Sequence, residues 1–499
     1  MPYPRLPEIT SATAKFELIH RILHSTKQVL CIAASFAAKT ILNQEHYLEV
    51  NATFTRLYSM APSLEDCPNE VIENIILLLD LVDIRSIRQS CRSLATKSTQ
   101  DHWKSFYRAK RVDITPSALR SFIDATQSNR LGCLVQDLTL VGLTEASKSS
   151  RPSIDSEETE VSLLSQALSN IAASKRGVGR VSLRLEVAVV QVDTDQRLLP
   201  VAASKTEWRF VWQCAAQTFQ TVVRALAASR LPLEKLDVFG NRQLQCCSVS
   251  CDELSRIGFQ DKRLTMSLSS LKALSISISD RLVDVPPPTF SESDENITRD
   301  AKEKLMSPSN FTGLVQMLSL DSLENVEIHY FRLDSARSFV GLPYDHHELL
   351  LKQVARSKKL PKLKQCSLRG LYIDEKDLLA FLQRTTPRRL LMENITLSSG
   401  TFGSVFDYCT CETTDVEAMC LDDLFEKHQK LYFPIQVGNG ELPRHPPIRG
   451  SPVTTSLHRM GAEVKQGIIY RYHEGRTLDT PRTRNLIRQR YKDYGPLEL

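Results

Sequence analysis

The chain of 499 residues has little glycine, little net charge and no long hydrophobic stretch. Its 18 glycines leave little material for nucleotide-binding turns, and no glycine-rich phosphate loop, nucleophile elbow or metalloprotease helix motif occurs. The net charge of +5 is small for this length and does not by itself indicate nucleic-acid binding. We therefore expect a protein that is not an enzyme and that holds no cofactor.

The longest apolar stretch is also too short for a membrane span. Residues 29–38 end at Lys39 and provide about half of the ~20 residues that a spanning helix needs. They lie too far from the start for a secretory signal, so we expect an internal amphipathic helix and no membrane partner. The 12 cysteines are scattered through a long chain, which predicts reduced thiols and a cytoplasmic or nuclear location.

A zinc site is the metal centre most easily imagined from this sequence. Its candidate ligands are Cys409, Cys411, Cys420 and His428. Their spacing lacks the paired Cys-x-x-Cys of zinc knuckles, and Cys420 lies in a run whose spacing looks helical. We therefore expect no metal.

The length predicts two to four units. Composition and periodicity divide the chain into four regions: an uncertain N-terminal extension at 1–59, a helical module at 60–110, a region of strands and helices at 111–405, and a basic, partly disordered region at 406–499. Met60 lies directly before the module. We therefore expect residues 1–59 to be poorly ordered or to be an upstream translation that the native protein lacks.

The helical module carries two apolar faces. Pro68 presets the first helical turn, Glu70 suits the helix dipole there, and Asp83 is the predicted cap of a second helix. Apolar residues recur at helical spacing in both helices: Val71, Ile72, Ile75, Ile76 and Leu79, then Ile84, Ile87, Cys91 and Leu94. In the second helix, Arg85, Arg88 and Arg92 are predicted to point away from the apolar face. A module this small cannot bury both faces, which leaves apolar surface for a partner helix.

Periodicity alone leaves open an ordinary helical hairpin packed on the rest of the chain. Two more helices are predicted after it. The first covers 99–110 with Trp103, and the second begins at Pro116 with Leu119 and Phe122 facing inward.

Three short motifs of the module resemble the F-box family. The family's Leu-Pro-x-Glu corresponds to Cys67-Pro68-Asn69-Glu70, its Leu-x-x-Leu-x-Asp-Leu to Leu78, Leu81 and Asp83-Ile84, and its Val-Cys-Arg-x-Leu to Ser90-Cys91-Arg92-Ser93-Leu94. Cys67 and Ser90 depart from the family pattern. The resemblance covers about forty residues and extends to the F-box receptors of filamentous fungi, which often pair such a module with leucine-rich strands.

The resemblance implies a function in protein ubiquitylation. An F-box protein is the substrate receptor of a Skp–cullin–F-box ubiquitin ligase complex and contributes no catalytic residue. The resemblance assigns adaptor binding to Pro68, Val71, Ile72, Ile75, Leu79, Ile84, Ile87, Cys91 and Leu94. A protein substrate of unknown identity is then expected on the region at 111–405.

That region alternates short apolar strands with helices. Seven groups of leucine-like residues at spacings of three and two begin at Val135, Val181, Leu233, Leu268, Leu320, Leu360 and Met392. Helices are predicted at 162–173, 210–228, 346–357 and 376–384, and loops near 144–160 and 284–300. The pattern resembles an irregular leucine-rich repeat, which makes the fold class α+β or α/β: a helical module followed by a solenoid of parallel strands and helices. A plain α/β domain is the alternative.

The basic tail supports a different function. Six arginines follow Ile469, and Tyr470, Tyr472 and Tyr491 interleave with them, with a helix expected at 482–491. Such a segment could bind phosphates and stack on bases, although no nucleic-acid motif accompanies it. Two alternatives to the receptor therefore stay open: an adaptor-bound scaffold without a role in degradation, and a nucleic-acid-binding protein that uses the tail.

Overall fold

The computed structural model describes residues 65, 67–98, 101–128, 130–145, 154–174, 180–190, 197–198, 208–240, 247–257, 261–279, 303, 307–331, 345–357, 359–426, 429–434, 453–472 and 489. The expected extension at 1–59, the predicted loop at 284–300 and the predicted tail helix, Gln489 excepted, lie outside these residues. The chain forms two compact units, Met1–Tyr107 and Arg108–Leu499.

Four short helices make up the described part of the first unit. They are α1 (Asn69–Ile76), α2 (Leu81–Ser90), α3 (Arg92–Lys97) and α4 (Asp101–Ser105). Pro68 precedes α1 as predicted. The cap of α2 is Asp80, whose carboxylate accepts hydrogen bonds from the backbone N–H groups of Val82 and Asp83 at 3.0 Å. The prediction of Asp83 as the cap was therefore wrong by one helical turn.

The second predicted helix of the module is divided at Cys91. This residue has extended backbone angles, with φ −157° and ψ 162°, and its Sγ accepts a hydrogen bond from the backbone N–H of Leu94 at 3.3 Å. Because Cys91 is also the N-terminal cap of α3, the next helix begins directly at Arg92. The helical spacing of apolar residues in the sequence therefore continues across the break. The third predicted helix is also shorter than expected, since it ends at Ser105.

The second unit contains eighteen strands within the described residues. They are β1 (Ala109–Asp113), β2 (Asp137–Glu145), β3 (Val181–Val190), β4 (Arg197–Leu198), β5 (Leu233–Val238), β6 (Val249–Ser250), β7 (Ala273–Ser279), β8 (Asn325–Phe331), β9 (Gln365–Arg369), β10 (Tyr372–Asp374), β11 (Arg389–Glu393), β12 (Thr396–Ser399), β13 (Ala418–Asp422), β14 (Phe425–Glu426), β15 (Gln429–Pro434), β16 (Val453–Thr454), β17 (Ser456–Met460) and β18 (Arg471–Tyr472).

Helices connect most of these strands. They are α5 (Pro116–Thr126), α6 (Ile154–Ala173), α7 (Trp208–Ser229), α8 (Cys251–Ser255), α9 (Lys262–Leu268), α10 (Thr312–Leu318), α11 (Asp345–Arg356), α12 (Glu375–Thr385) and α13 (Gly403–Thr410). Short 3-10 helices cover Leu131–Leu134, Pro308–Phe311 and Gly461–Lys465. The predicted helices at 162–173, 210–228, 346–357 and 376–384 are confirmed. Their bounds differ by one or two residues, except that α6 begins eight residues earlier, and α5 buries Leu119 and Phe122 as expected.

The strands build a mixed α/β unit around one long sheet. Nine strands lie in chain order and pair in parallel: β1-β2-β3-β5-β7-β8-β9-β11-β13, with β17 antiparallel at the end. Their leucine-like positions are in register, so that one row of side chains runs through Leu138, Leu183, Leu236, Leu274, Val326, Cys366, Leu390 and Met419. These side chains are buried with the apolar faces of the helices in one continuous core.

A second, smaller sheet forms where three of the strands bend. The order of its strands is β10-β12-β14-β15-β16, with β18 on β15. The bends lie at Gly370, Asn394 and Asp423, which have φ values of 70°, 55° and 52°. Only glycine adopts such angles without strain, and Asn and Asp tolerate them best among the other residues. Three successive chain segments therefore repeat the same turn at the same register.

The predicted limits of this region need three corrections. Lys110 lies in β1, residues 154–160 of a predicted loop belong to α6, and Cys420 lies in β13 although its surroundings looked helical. Short runs that are apolar on both sides fit either element, and pairing with β11 decides for the strand here. The sheet also continues past residue 405, into the region expected to be partly disordered. Within the described residues, no helix is both long enough and apolar enough to cross a bilayer.

Candidate adaptor-binding surface

The first unit exposes large apolar side chains at the junction of α1 and α2. Leu77 is 57% exposed, Leu78 48% and Val82 68%. Three residues separate Leu78 from Val82, and the Asp80 cap fixes the turn between them. Since aliphatic surface in water costs free energy, such a patch favours a partner that covers it. We call Leu77, Leu78 and Val82 the junction patch.

The residues that the sequence assigned to adaptor binding fall into three groups. Pro68 is exposed; five others are half-buried, namely Val71, Ile75, Leu79, Ile87 and Cys91. The remaining three, Ile72, Ile84 and Leu94, are buried. With Ile76 and Trp103 these three form the interior of the module, so they set its shape and offer a partner no direct contact. For those three residues the assignment to direct binding needs this correction.

Helical periodicity missed the junction patch for a physical reason. Leu77 ends α1, and Leu78 and Leu79 follow in the turn, where the 3.6-residue period no longer decides which way a side chain points. Val82 lies in the first turn of α2, opposite the buried Ile84. The run Leu77-Leu78-Leu79 was the available sequence signal, because three leucines in a row cannot share one face of a short helix.

Arg88 ties the module together from within. Its guanidinium donates hydrogen bonds to the carbonyl oxygen of Ala95 at 2.8 Å and to the hydroxyl of Ser98 at 3.3 Å, and lies 4.5 Å from the ring centre of Trp103. Partial burial lowers the pKa of Arg88. Helical spacing predicted that this arginine points away from the apolar face. The structure shows that it links α2 to α3 and to α4 instead.

Lys97 fixes the chain that leads into α1. Its ammonium group donates hydrogen bonds to the carbonyl oxygens of Glu65 at 2.5 Å and of Cys67 at 2.7 Å. These contacts hold the segment before Pro68 against α3. The exposed Pro68 thus follows a segment that is fixed in place, and such pre-organisation lowers the entropic cost of binding.

The tyrosines of the tail are engaged within the second unit. The ring of Tyr470 meets that of Phe406 edge-on, with centroids 5.4 Å apart, and the hydroxyl of Tyr472 donates a hydrogen bond to Glu426. Burial, with Glu426 next in effect, raises the pKa of Tyr470. The ring of Tyr470 is therefore partly covered by protein, whereas Tyr472 is held by its hydroxyl and stays exposed, and Tyr491 lies outside the described residues.

The candidate zinc ligands lie in different environments. Cys409 is buried in α13, and burial raises the pKa of its thiol to about 12, whereas Cys411 is exposed just after that helix. Cys420 lies in β13, with its Sγ 3.7 Å from Nε2 of His458 in β17, and His428 lies outside the described residues. In the described part of the chain, no group of three or more Cys, His, Asp or Glu side chains could hold a metal ion.

Comparison with known families identifies the four helices of the first unit. The family model of the F-box domain matches residues 64–105, which include α1 to α4 and the junction patch. A comparison with curated proteins found no match to the chain. F-box domains generally bind Skp-type adaptors within ubiquitin ligase complexes, and the proteins that carry them are typically non-catalytic subunits. Residues 64–105 of this protein are therefore an F-box domain.

Proposed function

We propose that this protein is the substrate-recognition subunit of a Skp–cullin–F-box ubiquitin ligase. The observation that carries the proposal is the F-box domain at 64–105 with its exposed junction patch. The domain binds the adaptor, and the second unit binds a protein substrate. The location that follows is the cytoplasm, the nucleus or both.

The adaptor contacts comprise the exposed and half-buried apolar residues of the module. These are Pro68, Val71, Ile75, Leu77, Leu78, Leu79, Val82, Ile87 and Cys91. Covering a Val or Leu side chain in full contributes about 1.5–3 kcal/mol, so a few such contacts account for a stable complex. The replacement of the family's leucine by Cys67, which is half-buried, removes a smaller share of this area.

The second unit is, in this proposal, an irregular leucine-rich-repeat solenoid. Three observations support it: strands in chain order, parallel pairing, and the repeated pattern around the bends at Gly370, Asn394 and Asp423. Each repeat places two buried leucine-like residues before the bend and one after it, as in Cys366 and Leu368 followed by Leu371. A plain α/β sheet would mix its strand order around a switch point, whereas a solenoid adds each strand beside the last.

The mechanism is proximity. The receptor supplies neither a nucleophile nor a general base. It raises the effective concentration of a substrate lysine near the ubiquitin-conjugating enzyme, which lowers the entropic part of the barrier.

Reconstitution with purified adaptor and cullin tests the proposal. The full chain is expected to assemble with both, and a variant lacking residues 64–105 is expected to recover neither. Proximity labelling in cells, with and without proteasome inhibition, then identifies clients whose ubiquitylation depends on the chain. Recovery of cullin without any such client would favour the scaffold. Failure of the full chain to bind adaptor would refute the proposal.

A further inference from the structure

The face of the long sheet that points away from the helices carries charged side chains. Along the first strands of the sheet its cations are exposed, and two of its carboxylates are buried. In β1 to β5 the residues between the buried leucines point to this face: Arg111, Thr139 and Arg184 lie in one register row, with Lys235 in the row before. The side chains of Arg111 and Arg184 are 48% and 45% exposed, and Lys235 is exposed. We call Arg111, Thr139, Arg184 and Lys235 the outer strip.

Two carboxylates of this face lie beneath the cations. Glu186 and Asp237 are 5% and 7% exposed, and they accept hydrogen bonds from Arg111 and Arg184, the second at 3.0 Å between Nε and Oδ2. Each arginine has five N–H donors, so these bonds orient the guanidinium groups and leave other donors exposed. Two further acids lie on this face of the strands, the exposed Asp137 in β2 and the half-buried Asp113 in β1.

The distances between the cations indicate which groups of a ligand they could bind. Arg111 and Arg184 are two strands apart, which is about 10 Å, with neutral Thr139 between them. Lys235 lies one strand further on and two residues back, about 8 Å from Arg184 by the same strand geometry. The three cations are therefore spaced apart across the strands, and two of them, Arg111 and Arg184, also pair with the two buried carboxylates. Cations spaced in this way suit single carboxylates, whereas a phosphate dianion is usually held by several cations that converge.

The same spacing specifies the conformation of the partner. A polyproline II segment rises ~3.1 Å per residue with three residues per turn, so side chains at i and i+3 point the same way about 9 Å apart. We propose that the outer strip binds an acidic protein segment in this extended conformation, with carboxylates three residues apart. The proposal deepens the proposed receptor function and rests on it, since it names the chemistry of the substrate.

Fluorescence anisotropy with the full chain tests this inference. The probe is a labelled peptide of the pattern Glu-Pro-Pro-Glu-Pro-Pro-Glu, and the matched control has the same composition with the three glutamates adjacent. The spaced peptide is expected to bind about tenfold more tightly, as one charge-assisted contact of ~1.5 kcal/mol implies. Its affinity is expected to fall with added salt, because the contacts are exposed.

Two variants keep the result interpretable if one of them folds poorly. Arg184→Gln retains a donor for buried Asp237, and Lys235→Glu changes an exposed side chain; each is expected to weaken the spaced peptide about tenfold by the same estimate. Lys359→Glu is the control, because Lys359 is exposed, pairs with Asp321 and lies before β9. It is expected to leave the affinity unchanged.

Equal binding of the two glutamate peptides, or full binding by both variants, would overturn the inference. Binding of a phosphoserine peptide or a single-stranded oligonucleotide, with none of the glutamate peptide, would overturn it in favour of that partner. Adaptor binding is measured on the same preparations. Loss of peptide binding with adaptor binding intact refutes this inference alone, whereas adaptor failure with peptide binding intact refutes the receptor function alone.

Discussion

The two units of the protein differ in how closely their exposed apolar side chains lie together in the sequence. The F-box module exposes Leu77, Leu78 and Val82 within a few dozen residues. In the described part of the second unit, which is several times longer, the large exposed apolar side chains are Met266, Met460, Ile469 and Tyr472, of which only Ile469 and Tyr472 lie close together in the sequence. The longer unit has one core that extends from Val112 to Leu457, whereas the module leaves the side chains of the junction patch exposed.

This difference separates the residues that stabilise the protein from those that are proposed to bind a partner. The second unit depends on side chains that touch each other along the sheet, so damage to its core is expressed as unfolding. The module depends on a few polar contacts and caps around a small interior, and under the proposed function its exposed leucines bind the adaptor. Four predictions test this contrast, from the largest expected effect to the smallest.

Truncation in the sheet core should have the largest effect on stability. Leu274 in β7 is 1% exposed and lies in register with Leu236 and Val326. Leu274→Ala leaves a cavity and is expected to lower the free energy of unfolding by about 2–5 kcal/mol, measured by urea denaturation. Leu77→Ala is the matched control in the module and should change it by well under 1 kcal/mol. Equal losses would break the comparison.

Removal of the Arg88 guanidinium should destabilise the module next most. Arg88→Met keeps the aliphatic stem but leaves the Ala95 carbonyl and the Ser98 hydroxyl without this donor and removes the contact with Trp103. The expected loss is about 1.5–3 kcal/mol, typical of a hydrogen bond to a charged group. The tryptophan fluorescence of the module reports it. Exposed Arg85 provides the control, and a similar loss for Arg85→Met would contradict the role of Arg88.

The helix cap offers a direct test of structure against sequence. Asp80→Ala removes the acceptor for the backbone N–H groups of Val82 and Asp83, and should cost about 1 kcal/mol. Asp83→Ala removes a carboxylate from the first turn and should cost less, a few tenths of a kcal/mol. Thermal denaturation of the two variants decides. A larger loss of stability for Asp83→Ala than for Asp80→Ala would indicate that Asp83 is the cap.

A pH dependence in the second unit is ranked last, because Glu160 is only half-buried and solvent screens its interactions. Burial between helices, and Glu157 next in effect, raises the pKa of Glu160 to about 7. The folded state therefore holds a proton that the unfolded state releases, so this group makes stability fall as pH rises from about 4.5 to 7. Glu160→Gln should remove that part of the pH dependence in denaturation midpoints. An unchanged profile would show that Glu160 titrates normally.

The sequence predicted the elements of the fold better than their ends. Leucine-like residues such as Leu138, Leu236 and Leu274 identified strands because their spacing matches a pleat with one buried face. The strand around Cys420 was missed because a short apolar run fits a helix equally well. Pairing between distant segments, such as β13 with β17, has no local signature at all.

The candidate site shows the same limit. Helical spacing did not separate buried Ile72 from half-buried Val71 and Ile75, and it left out the exposed Val82. Arg88 was beyond sequence reasoning, since a charged residue is normally assigned to solvent and its partners Ser98 and Trp103 lie on other helices. The outer strip likewise depends on register between strands more than seventy residues apart, Arg111 and Arg184.

The affinity of the full chain for a purified Skp-family adaptor tests the central claim most directly. Isothermal titration calorimetry should compare the native chain with Leu78→Asp/Val82→Asp and with Met460→Asp, which changes an equally exposed apolar residue of the other unit. Loss of two buried apolar contacts of ~1.5 kcal/mol each predicts at least about hundredfold weaker binding for the double variant. Met460→Asp should bind as the native chain does. Equal affinities for all three proteins would contradict the assignment of the adaptor to the junction patch.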